Sequence, residues 1–118
     1  MKYLAIMLGV GLIFILYEIV LYGISAYILH RSPSLKSDFL WSLALAIPFA
    51  LAEVLWLRGW RIAENAGMSV WTADILFLTC AVIGSSIAMV LFFKEVPNTT
   101  QIIGLVLVLA GGAIAAWK

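Results

Sequence analysis

The residues best equipped for chemistry are carboxylic acids in places where they are costly. Glu18 falls near the middle of an apolar run over residues 3–29. An ionisable side chain at the centre of such a run costs about 2.5–3.5 kcal/mol on insertion scales. Helical spacing puts Gly11, Glu18 and Ser25 on one stripe, with Tyr22 one turn from Glu18. That narrow polar face must point at protein or water. A carboxyl group so placed can hold a proton and release it in exchange for a cation. Tyr17 and Tyr22 offer aromatic faces to the same cation. The structural alternative is a protonated glutamic acid hydrogen-bonded to a neighbouring helix.

Two more carboxylates join this candidate set. Glu53 is expected about one turn from the end of a run over residues 39–57, before Arg58 and Arg61. There it would reach the interface or pair with an arginine. Asp74 lies about one and a half turns into a third run over residues 69–93, where the interface is also within reach. His30 and Arg31 close the first run and, with Arg58 and Arg61, are candidate contacts for lipid headgroups or ordinary interfacial anchors. Nothing resembles a nucleophilic triad, a metal site or a phosphate-binding loop. Cys80 is the single cysteine and reads as a buried small hydrophobe. An enzyme, a metal or a cofactor is therefore not expected.

The elements that position these residues follow from composition. Of 118 residues, 65% are hydrophobic and 11% charged, against about 25% charged in soluble domains. That is too little polar side chain to cover a globule. The formal net charge of +1 gives no argument for nucleic acid. Four apolar runs, about residues 3–29, 39–57, 69–93 and 100–117, approach the 20 or so residues a helix needs to cross a bilayer. Helices are favoured because lipid offers no partner for backbone polar groups. The expectation is an all-α integral membrane protein: one domain of four transmembrane helices with short loops at residues 30–38, 58–68 and 94–98. Residues 1–29 are too long an apolar stretch for a cleaved signal peptide, and no small-residue cleavage site is evident.

Trp41, Trp56, Trp60, Trp71 and Trp117 fall near run ends, where an indole finds both apolar and polar surroundings. Pro48, in mid-run, removes one backbone hydrogen bond and leaves the Ala44 carbonyl free. Gly84, Ser85 and Ser86 form a small-residue patch in the third run, and Gly104, Gly111 and Gly112 suit the fourth to close helix packing or dimerisation. With four spans, Lys2, Arg58, Arg61 and Lys118 share one side, against Arg31, Lys36 and Lys94 on the other. So even a balance barely specifies orientation, which allows an antiparallel homodimer as well as an orientation fixed by a partner. One chain is small for enclosing a pathway, and two make an eight-helix unit.

The stretch Phe92-Phe93-Lys94-Glu95, followed by Ile102-Ile103-Gly104-Leu105 and Ala110-Gly111-Gly112, resembles the last two helices of small multidrug resistance transporters, of the drug/metabolite transporter superfamily. The resemblance implies a bacterial inner-membrane protein in which the first-helix carboxylate binds protons and substrate cations in competition, from both subunits of an antiparallel dimer. Glu18 would take that role, and Gly104 and Gly111 would lie at the fourth-helix dimer contact. Ala44–Leu57 and Lys94-Glu95-Val96-Pro97 are also similar to small flippase subunits that move aminoarabinose–undecaprenyl phosphate. The match covers about residues 88–113. Phe77 stands where multidrug members carry a third-helix tryptophan, and Trp71, the nearest one, joins the candidate binding set. Ser69 and Val70 replace the usual proline–glycine–tyrosine entry, and Asp74 is an added carboxylate.

The leading expectation is thus a proton-coupled exporter of amphipathic or cationic small molecules, surrounded by membrane lipids and working as a homodimer or with a similar subunit. A flippase for a lipid-linked sugar is the nearest alternative. An accessory subunit that pairs Glu18 and Glu53 with a partner's arginines is another. A small dual-topology ion channel fits the size, without a glycine–asparagine-rich pore sequence.

Overall fold

The computed structural model describes residues 2–31 and 33–116. Five α-helices account for nearly all of them, and no strand occurs among the described residues. They are α1 (Lys2–Arg31), α2 (Leu35–Ala44), α3 (Ala46–Asn65), α4 (Val70–Ala88) and α5 (Thr99–Ala116). A π-helical turn, Met89–Phe93, continues α4. Among the described residues, two helices are long and apolar enough to cross a membrane: Leu4–Arg31 and Val70–Phe93, whose most apolar 18-residue stretches have mean hydropathies of 2.6 and 2.5. The pair α2–α3 makes a third candidate if the two count as one span bent by 68°. The apolar α5 is shorter.

Local chemistry sets the ends of these helices. Ser34 caps α2 by accepting from the Ser37 amide at 3.3 Å, and Ser69 caps α4 by accepting from Thr72 N–H at 3.1 Å. Asn98 and Gln101 exchange side-chain and backbone hydrogen bonds at 2.9 Å each, a capping box that opens α5. Lys94 ends the π-helical turn in the left-handed region, with φ 56°. The Glu95 amide then reaches back to the Met89 carbonyl at 3.3 Å, closing that end.

The α2–α3 break sits at Leu45, whose φ of −101° and ψ of 20° leave the helical region. Pro48 follows three residues later and has no amide to give the Ala44 carbonyl. The hydrogen bonds that flank the break, Leu45 N–H to Trp41 O and Phe49 N–H to Leu45 O, are intact. The expected effect of Pro48 is therefore seen as a sharp corner in the second apolar run.

Helix α1 is the centre of the molecule. Gly11 meets Cys80, Glu18 meets Gly84 and Gly23 meets Phe92, so α4 runs parallel to α1. Phe14 packs on Gly59 and Tyr17 bonds to Glu53, so α3 runs antiparallel to α1 on another side. Phe14 is fully buried and holds Trp60 and Phe77 edge-on at 6.2 and 5.1 Å. Val10, Ala63, Met68, Ala73 and Cys80 complete this core. Helix α5 packs on α4 and on no other helix among the described residues.

Two sequence expectations need correction. The second apolar run does not end near residue 57. Helix α3 continues to Asn65, so Arg58, Arg61 and Glu64 are helical rather than part of a loop. Arginine and glutamate are good helix formers, and a long side chain reaches water while its backbone stays helical. Consequently Glu53 is about 18 Å along the helix from Asn65, not one turn from its end. The expectations for Trp117 and Lys118 lie outside the described residues.

Candidate functional site

Glu18 is only 8% exposed, the one buried charged residue among those described. It is pressed against α4 at Gly84. A Cβ there would come within 2.6 Å of the Glu18 Cβ and 2.9 Å of the Ile15 carbonyl, so glycine is what allows α1 and α4 this approach. No hydrogen bond engages Glu18 or Tyr22 among the described residues.

Glu18 and Tyr22 line an open cavity of about 560 Å³ between α1, α4 and α5. Phe77, Leu78, Thr79, Val82 and Ser85 of α4 form much of its wall, with Val108 and Gly112 of α5. The Thr79 hydroxyl donates to the Ile75 carbonyl at 2.8 Å, and the Ser85 hydroxyl donates to the Val82 carbonyl at 3.1 Å. A carboxylic acid without a hydrogen bond, one phenol and two hydroxyl-bearing residues thus line a mostly apolar space. Such a space suits a molecule with an apolar body and one cationic end.

Tyr17 and Glu53 are brought together, but on the α3 side of α1. The buried Tyr17 donates its hydroxyl to Glu53 Oε1 at 2.9 Å. Glu53 is exposed, and the bond ties it to the residue that precedes Glu18. The two carboxylates therefore occupy different flanks of α1. Asp74 is half-buried in the second turn of α4, about 15 Å along that helix from Gly84, and does not line the cavity. Trp71 is 78% exposed and also apart from it.

The basic candidates divide between two places. Arg31 lies 3.7 Å over the Tyr27 ring, with Trp41 edge-on to that ring at 5.6 Å, and His30 packs 5.8 Å from Phe93. Arg58 and Arg61 are exposed on the far half of α3. Among the small residues of α5, Gly104 and Gly111 face open space. Gly112 does not: a Cβ there would run into Thr79 Oγ1, so this glycine serves packing within the chain.

Sequence reasoning passed over Thr79 as a site residue and named Ser85 only for its small size. A hydroxyl in a long apolar run is a weak signal, because its usual partner is its own helix backbone. Comparison with family models, with curated proteins and with solved structures found no match to this chain.

Proposed function

We propose that the chain is a four-span membrane transporter that exchanges protons for amphipathic organic cations at Glu18, acting as a dimer. The observation that carries this reading is a buried glutamate, 8% exposed as a residue, without a hydrogen-bond partner, on the wall of an open apolar cavity. A glutamic acid kept for structure would be tied to a neighbouring helix, as Glu53 is tied to Tyr17. Glu18 is left free to bind either a proton or a cation. The two cannot be held at once without excess charge in a low-dielectric site, so each displaces the other. That competition couples the two movements.

Two further features support the reading. The long apolar helices suit a bilayer, and α5, although shorter, is about 27 Å long and wholly apolar within its interior. It adds the fourth crossing if α2–α3 is the second. The stretches quoted above resemble small multidrug resistance transporters, in which a first-helix carboxylate has this role.

Transport by protein reconstituted in vesicles tests the proposal. Benzylguanidinium stays charged throughout the accessible pH range, so it does not leak as a neutral base. An outward proton gradient is expected to drive its uptake, and Glu18→Gln to reduce uptake to that of empty vesicles. Equal uptake by the wild type and Glu18→Gln would remove Glu18 from the mechanism.

A further inference from the structure

The hydroxyl groups of the cavity carry information about the cation. A serine or threonine hydroxyl has one proton to donate and two lone pairs. In Thr79 and Ser85 that proton is committed to a backbone carbonyl of α4. The Ser85 oxygen therefore offers the cavity lone pairs only, while the Thr79 oxygen packs against Gly112. An ionised Glu18 likewise only accepts. Tyr22 is the single lining side chain left with a proton to give. The cavity thus presents a surplus of acceptors, set among apolar side chains that satisfy none of them.

We propose that this cavity selects organic cations bearing N–H groups, a primary ammonium on an apolar body, over quaternary cations of the same charge. This rests on the reading of the cavity as a cation site. A trimethylammonium neutralises the charge of Glu18 but surrounds its nitrogen with methyl groups, which leaves the acceptors stripped of water and unpaired. A primary ammonium brings three donors. One takes the Glu18 carboxylate in a charge-assisted bond. A second takes Ser85 Oγ, beside the Gly84 against which Glu18 rests. Thr79 lies about 9 Å along α4 from Ser85, too far for the same nitrogen. Its oxygen packs against Gly112 of α5 and takes no part in holding the ammonium.

Isothermal titration of the purified full chain in uncharged detergent at pH 8 tests this with benzylammonium and benzyltrimethylammonium. They share the aromatic body and the charge and differ in N–H groups. Benzylammonium is expected to bind at least about tenfold more tightly. Ser85→Ala is expected to weaken benzylammonium about threefold or more and to leave benzyltrimethylammonium unchanged. Circular dichroism checks that the variant keeps its helices. Equal affinities, or an equal loss for both ligands in Ser85→Ala, would overturn the N–H selection while leaving the cation site in place. Failure of both ligands to bind folded wild-type protein would overturn the cation site itself, and this inference with it.

Discussion

At the scale of single residues, the structure separates two carboxylates on different flanks of α1. Glu18 faces a cavity without a partner, and Glu53 accepts from Tyr17. In a membrane, a side-chain hydrogen bond between helices contributes about 0.6 kcal/mol on average. Tyr17→Phe is therefore expected to destabilise the fold by about that amount. A double-mutant cycle with Glu53→Gln, read from unfolding in detergent, should show the two changes coupled; strict additivity would mean that the bond contributes nothing. Glu18 and Tyr22 were legible in the sequence because a carboxylate in an apolar run is conspicuous and its i+4 neighbour shares its face. The Tyr17–Glu53 pair was not, because it depends on how α3 is registered against α1. Nor were Thr79 and Ser85, because their place on the cavity wall depends on which face α4 turns to α1.

At the scale of elements, glycine sets the spacing of the helices that form the cavity. Gly84 lets Glu18 and Ile15 of α1 touch α4, and a methyl group there meets backbone as well as side chain. Gly84→Ala is expected to cost about 1–3 kcal/mol through overpacking. Thermal unfolding in detergent measures it, and an unchanged midpoint would contradict this packing. The helical runs themselves were visible in the apolar stretches, and so was the role of Pro48. What the sequence obscured was the end of α3. Arg58, Arg61 and Glu64 resemble loop residues by charge, whereas their backbone is held in the helix that brings Ala63 and Trp60 against Phe14. Tertiary packing, not polarity, decided that boundary.

At the scale of the whole molecule, α1 is clasped between α3 and α4, while α5 touches only α4 among the described residues. The cavity is therefore walled on few sides by this chain. In the proposed dimer a second copy would cover the open side of the Glu18 cavity. If α2–α3 is one span, as proposed, the exposed Glu53 would likewise need a polar surface opposite it rather than lipid. Four apolar runs and short connections led directly to an all-helical chain. The 68° corner between α2 and α3 and the parallel clasp of α1 by α4 required the structure.

The central claim is that Glu18 exchanges a proton for a cation, and the affinity of benzylammonium across pH 5 to 8 tests it most directly. Protons compete for the same carboxylate. Binding should therefore weaken as pH falls, by at most about tenfold per pH unit once the carboxyl group is protonated in the free protein. Glu18→Gln should abolish the pH dependence together with most of the affinity. Binding that is independent of pH and unaltered in Glu18→Gln would contradict the account.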